Sequence, residues 1–291
     1  MDDLKTIPVP IPRQDALATV EGSPKAVAAH DKDAWVGLFA EFSVIEDPVG
    51  SRPNLSGIFD ARSGRRGDAA HRRFYDTFIA PNKIEFHVER DVVCGTHVVR
   101  DLDIEITMAP TVVVRTPMHL VYELCEESGE LRIRRLNAHW EMLPMVGRLM
   151  AQGPSAWAIV AALWRRQLAN LGVSGTAGFA AGMRSVGKAG KRVVADLAGA
   201  VRRGDAAAAA ALFADGATGI EAPYGHPPLS PRRFVDEGAV RFTPTKTLAS
   251  GATVSASLEI ETDTGTHGGV GFFELDRASR LIDRVRLYWE P

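Results

Sequence analysis

An α+β fold in two repeated halves is predicted by three observations. Apolar residues at helical spacing fill residues 14–42 and 68–80, and long β-rich stretches then run from about 84 to 142. Helices first and strands after is the order that gathers helices on one side of a sheet. The layout then recurs: GDAAAAAALFADGATGIEAPYG at 204–225 follows HDKDAWVGLFAEFSVIEDPVG at 30–50, and RLIDRVRLYWEP at 280–291 follows LRIRRLNAHWEM at 131–142. Finally, 291 residues of which 45% are hydrophobic are enough to bury two cores.

In the first half, Ser23 before Pro24 reads as an N-cap with proline at the first helical position, inside a helical region that runs on through Leu38, Phe39 and Phe42. SVIEDP is a short strand ending at Pro48, because proline lacks the ladder donor and biases the residue before it toward an extended conformation. Asp47 is therefore expected at a strand end, at the mouth of whatever the strand lines. DAAHRRFYDTFIA at 68–80 is an amphipathic helix. Strands follow in IEFHVERDVV, THVVRDLDIEITM, TVVVRTPMHLVYELC and LRIRRLNAHWEM. In the last of these Leu136, Ala138 and Trp140 alternate with Arg135, Asn137 and His139, so one face is apolar.

Residues 143–190 break the pattern with SAWAIVAALWRRQLANLG and a glycine-rich run, and read as a helical connector. Trp157, Ile159, Leu163 and Trp164 beside Arg165 and Arg166 fit either a membrane-surface helix or a helix packed on a neighbouring domain. The packed helix is the reading adopted. The expected organisation is a domain at 1–145, a connector at 146–190 and a second domain at 191–291. Asp47 and Trp140 are 93 residues apart but their counterparts Ala222 and Trp289 only 67, so the second copy is shorter.

Composition excludes several classes. A formal net charge of −2 offers no basic footprint for nucleic acid. MDDLKTIPVPIPRQD has no apolar leader core and no segment approaches eighteen uninterrupted apolar residues, so neither export nor a membrane span is expected and a cytoplasmic location is. Cys94 and Cys125 are too few for a disulfide framework. No His or Cys spacing matches a metal motif, and no glycine run matches a nucleotide loop, so no metal or cofactor is expected.

LFAEFSVIEDPVG, the helix carrying Phe74 and Tyr75, and the closing AHW at 138–140 resemble the NTF2-like superfamily, in particular its ketosteroid isomerase and SnoaL-like branch. The resemblance covers roughly 15–142 well and 191–291 loosely. It implies two cone-shaped domains, each a curved antiparallel sheet wrapped on helices, joined as an intramolecular pseudo-dimer. It also implies a small apolar ligand, steroid-like or polyketide-like, and Asp47 as the general base of a double-bond isomerisation. Tyr75 matches the family's supporting tyrosine, with Phe39, Phe74, Val121, Leu136, Ala138 and Trp140 as expected ligand contacts. The family's oxyanion tyrosine and protonated aspartate fall near Ser23 and Val121, so the oxyanion hole is missing or rebuilt. His119, Asp101 and Asp103 are the candidate acids or donors. Paired acids would instead suit an epoxide hydrolase or cyclase, and a non-catalytic ligand-binding or scaffold role is the third reading. In the second copy Ala222 stands where a base would, and that copy is expected to be catalytically empty.

Overall fold

The structure is a computed structural model, and it describes residues 11–60 and 65–290. The first ten residues, part of the stretch MDDLKTIPVPIPRQD discussed above, lie outside the described residues. The first half consists of α1 (Arg13–Ala28), α2 (Lys32–Gly37), β1 (Phe39–Glu46), β2 (Asn54–Leu55), β3 (Ile58–Asp60), β4 (Arg65–Gly67), α3 (Ala69–Phe74), β5 (Lys83–Cys94), β6 (His97–Ala109), β7 (Val112–Glu127) and β8 (Glu130–His139). α3 runs directly into a π-helical turn, Tyr75–Ile79.

Ser23 is not a cap. α1 passes through Pro24 without a break, because Ala16, Val20, Ser23 and Val27 form a buried stripe at helical spacing that packing holds together across the lost N–H. The helical region also ends earlier than its apolar bulk suggests. α2 stops at Gly37, and Phe39 already pairs with Ile133 of β8. Asp31 caps α2, its carboxylate accepting from the Ala34 amide at 2.9 Å.

The first sheet has the order β2-β1-β8-β7-β6-β5, antiparallel except where β1 runs parallel to β8. α1, α2 and α3 cover its concave face. Trp35, Ile45, Leu102, Tyr122 and Ile133 form the centre of that core; full burial of each such side chain is worth roughly 1.5–3 kcal/mol.

The second half contains α6 (Gly187–Arg203), α7 (Ala206–Ala210), β9 (Gly219–Glu221), α8 (Pro231–Glu237), β10 (Val240–Ser250), β11 (Thr253–Thr262), β12 (Gly265–Leu275) and β13 (Ile282–Trp289). Its sheet order, β10-β11-β12-β13-β9, reproduces β5-β6-β7-β8-β1, with β9 again parallel to the closing strand. The repeat extends to detail. Asp205 caps α7 as Asp31 caps α2, accepting from Ala208 at 2.9 Å. The Asp47–Pro48 and Ala222–Pro223 bonds are both cis, and Gly50 and Gly225 both have φ of 94°. The fold is thus α+β, with two cone-like halves.

The convex faces of the two sheets meet. Val92, Val99 and Val121 of the first half pack on Val270, Phe272 and Tyr288 of the second. The backbones come close at Gly50 and Gly251, where a side chain on Gly50 would stand 2.5 Å from the Gly251 Cα. Between the halves run α4 (Met142–Met150) and α5 (Pro154–Ala180), the latter interrupted at Gly172. α5 packs on a neighbouring domain as expected, and that domain is the first half: it closes the open end of the first cone, with Phe179 stacked on Phe78 at 4.8 Å and Asn170 donating to the Thr77 hydroxyl at 3.0 Å. Among the described residues, no helix is long and apolar enough to cross a membrane.

Candidate active site

The first cone encloses a cavity of about 400 Å³. Its wall comes from alternate residues of four strands, Ile84 and Phe86 on β5, Ile104 and Ile106 on β6, Thr116 to Tyr122 on β7, and Leu136 on β8, with Trp140 just past the end of β8. α4 and α5 supply the cover, through Met145, Leu149, Ile159, Val160, Leu163 and Gln167. Asp47 is the only carboxylate among the described lining residues.

Local chain geometry holds Asp47 in place. β1 runs parallel to β8 up to the pair Glu46–Asn137, and the Val49 amide then bonds the Ala138 carbonyl at 2.8 Å. The Glu46 carboxylate accepts from the Gly50 amide at 2.7 Å and ties the turn together. Asp47 is thereby directed into the cavity beside Trp140, whose indole N–H donates to Asp47 Oδ1 at 2.6 Å. Burial against apolar walls pushes the Asp47 carboxyl up to about 6, and the Trp140 hydrogen bond only partly offsets it.

A polar cluster also reaches the cavity. Tyr122 lines it from β7 and Ser23 from α1. The two hydroxyls are hydrogen-bonded, and Trp35 donates its indole N–H to Ser23 Oγ at 3.1 Å. Burial pushes the Tyr122 phenol up to about 12, against the pull of the Arg100 charge and the Ser23 hydrogen bond. Arg100, 4% exposed, is held by Asp91 and Glu21, both at 2.7 Å, and its Nη1 has no partner. The helix position expected for an oxyanion tyrosine thus holds a serine, and a strand tyrosine meets it.

Sequence reasoning missed Tyr122 by one residue. It took Val121 as a ligand contact, but Val121 points outward into the sheet-to-sheet interface. The register explains the error: Tyr122 pairs with the cavity residue Leu136, whereas Val121 pairs with Asn137 on the opposite face. The apolar alternation at 136–140, carried across the β7–β8 ladder, was the signal that identifies Tyr122.

Other expected site residues are redistributed. Phe74, Leu136 and Trp140 line the cavity. Tyr75 does not; it is buried against Trp35 with ring centroids 5.6 Å apart, and its hydroxyl has no partner. Phe39 packs between Trp35 and His71, at 4.9 Å from each, and Ala138 is buried in the core without reaching the cavity.

His119 and Asp101 are not cavity donors, because both lie on the convex face against the second half. Ser257 Oγ donates to Asp101 Oδ2 at 2.6 Å, so it accepts from His119 Nε2 at 3.0 Å, which leaves Nδ1 to accept from Ser255 at 2.8 Å. Lys246 also pairs with Asp101. Burial alone would raise the Asp101 carboxyl, but these partners hold it below the usual carboxylate range. Asp103 pairs with Arg115 at 2.9 Å, outside the cavity. His139 packs on Phe272 with the rings tilted and their centroids 4.7 Å apart in the same interface, and burial depresses it to about 3. Glu85, His87 and Glu105 come together on the β5–β6 surface, away from the cavity, with Glu85 paired to Lys83 at 2.6 Å.

In the second half, Ala222 occupies the position of Asp47, and Glu221 beside it pairs with Arg284. Phe242, Phe273 and Trp289 belong to one buried cluster that fills this cone.

A curved sheet closed by helices around an apolar cavity, with one carboxylate on its wall, defines an NTF2-like fold. Residues 20–132 match the family model of the SnoaL-like domain. A comparison with curated proteins finds no match. Similar solved structures include a Δ5-3-ketosteroid isomerase from Mycobacterium sp., 27% identical, covering 44% of this chain and 94% of its own, with a TM-score of 0.36. RV0760c of Mycobacterium tuberculosis in complex with estradiol-17β-hemisuccinate is 25% identical, covering 45% and 96%, with a TM-score of 0.36. The epoxide hydrolase/cyclase-like enzyme SalBIII, of pyran ring formation in the polyether salinomycin, is 26% identical, covering 45% and 93%, with a TM-score of 0.35.

Proposed function

We propose that the first half, a domain of about residues 1–145, binds a bulky apolar steroid- or polyketide-like ligand and that Asp47 moves a proton on it, next to a carbonyl. The observation that carries this reading is the single carboxylate on an apolar cavity wall, with its pKa raised to about 6. A base for carbon acids needs a pKa near the working pH and a site that excludes water. Asp47 takes the proton α to the carbonyl and returns it one double bond along.

The enolate formed between those two steps needs donors. Tyr122 supplies one by donating its O–H to the substrate oxygen, and Arg100 behind it stabilises the charge that develops. Ser23 then donates to the Tyr122 oxygen and Trp35 to Ser23, so every donor in the relay points toward the substrate. The second half covers the convex sheet face as an internal counterpart to a partner subunit, making the chain a pseudo-dimer.

The epoxide hydrolase or cyclase reading requires a second acid, and neither Asp101 nor Asp103 lines the cavity. A passive carrier is the remaining alternative. The test is conversion of a β,γ-unsaturated ketosteroid to its conjugated isomer, followed by ultraviolet absorbance. Turnover that falls by about 10² to 10⁴ in Asp47→Asn supports the base assignment. Tight binding of the steroid with no turnover would make the domain a carrier.

A further inference from the structure

The cover over the cavity has two faces, and only the inner one is accounted for by the ligand site. On α4, Leu143 and Met150 form an exposed stripe at helical spacing, with Leu143 57% exposed. On α5, Trp157, Ala161 and Leu168 form another, with Trp157 55% and Leu168 48% exposed, and Val146 and Trp164 reach from the cavity lining out to the same surface. The two stripes are joined where the Trp157 indole N–H bonds the Met150 carbonyl at 3.1 Å. An apolar surface of this extent, rich in tryptophan and outside any core, marks an interaction site.

Charge selects the partner. The whole chain has a formal net charge of −2, yet residues 142–195 contain seven basic residues and not one Asp or Glu. Lys191 is paired with Glu141 at 2.8 Å. Arg148 and Arg165 are exposed on the cover itself, beside the apolar stripes. Tryptophan with leucine on one face and arginine at its edge is the composition that settles at the headgroup level of a bilayer, and an acid-free basic run is drawn to anionic lipid.

We propose that α4 and α5 form a membrane-docking surface that seats this protein on a bilayer containing anionic phospholipid. The stripes enter the headgroup boundary, while Arg148 and Arg165 meet lipid phosphates. No helix among the described residues, α5 included, is both long and apolar enough to cross, so the contact is peripheral. Ile159, Val160 and Leu163 of the same helix line the cavity, so an apolar ligand partitioned in the bilayer reaches its site through the cover rather than through water. That last step rests on the ligand-binding reading above, but docking itself does not.

The test is co-sedimentation of the full chain, without any steroid, with vesicles of phosphatidylglycerol or of phosphatidylcholine. Binding to the anionic vesicles, weakened by salt and at least tenfold weaker on the neutral ones, is expected. Trp157→Ala with Leu168→Ala should weaken anionic binding at least tenfold. Arg148→Gln with Arg165→Gln should remove most of the salt dependence while keeping the apolar stripes. No binding to phosphatidylglycerol, or binding that neither pair of substitutions changes, overturns the proposal. So does a self-association in sedimentation velocity that Trp157→Ala abolishes, since a second copy would then be what covers this face. Because no substrate is present, failure here leaves the role of Asp47 untouched, and loss of Asp47 chemistry leaves vesicle binding to be judged by itself.

Discussion

Trp140 and Asp47, 93 residues apart, are joined by a 2.6 Å hydrogen bond from the indole N–H to Oδ1. Parallel pairing of β1 with β8 brings the ends of the two segments together, and the bond fixes which way the carboxylate faces. It also favours the charged form, opposing the burial that raises the Asp47 pKa. Trp140→Phe removes that opposition, so the Asp47 pKa should rise above 6. The ascending limb of kcat/KM against pH should move to higher pH by a measurable fraction of a unit, and an unmoved limb would dissociate Asp47 from the rate.

Ionisation of Asp47 also makes stability depend on pH. Its folded pKa is raised, so the favourable contribution is complete below the unfolded value near 3.8 and is lost as pH rises through about 6. At pH 8 the fold carries a buried charge that the unfolded chain would solvate. Asp47→Asn should therefore be more stable than the unaltered protein at pH 8, by up to about 3 kcal/mol. At pH 3.5 the difference should vanish, as urea denaturation at the two pH values would reveal.

Tyr122→Phe deletes the donor while keeping the ring that fills the wall. A fall in kcat of about 10² to 10³ with little change in KM is expected for loss of a single oxyanion donor. Arg100→Met should instead destabilise the protein, by about 1–3 kcal/mol, because Asp91 loses its charged hydrogen-bond partner while the more exposed Glu21 is rescued by water. Equal kcat in Tyr122→Phe would assign the phenol a structural role.

Gln167 lines the cavity from α5, is 2% exposed, and its Oε1 has no partner. Thr116 Oγ1 is similarly buried and unpartnered on β7. Steroids bearing a hydroxyl that reaches either group should bind more tightly than their deoxy counterparts, by about 0.5–1.5 kcal/mol. Gln167→Leu should erase that preference in a fluorescence titration if Gln167 is the group engaged.

The interface predicts the behaviour of the halves. Phe272 is 1% exposed and packs on His139 and Tyr288. Phe272→Ala should cost about 3–5 kcal/mol. Residues 1–185 alone should self-associate through exposed Val92, Val99 and Val121. A monomeric fragment in light scattering would mean that the sheets do not need each other.

Local patterns in the sequence were sufficient for the strand order of residues, the repeated architecture and the arrival of Asp47 at a strand end. Alternation, proline and the two copies of the closing strand act over a few residues, and each has one structural outcome. The cavity partners were not legible in the same way. Tyr122 shares its β7 face with Met118 and Leu120 and Val121 lies on the other, and only the closing of the sheet against the helices and the second half decides which face lines the cavity. His119 and Asp101 share a strand face with Val121, so the same parity sends them into the interface, where Ser255, Ser257 and Lys246 of the other half await them. The cover is the clearest case. The run around Trp157 has the composition of a helix that buries apolar surface, but only packing against Phe78 and Thr77 decided that its inner face closes the first cone and its outer face meets the surroundings. Composition specifies how much apolar surface a helix has, and tertiary contact specifies which side of it is used.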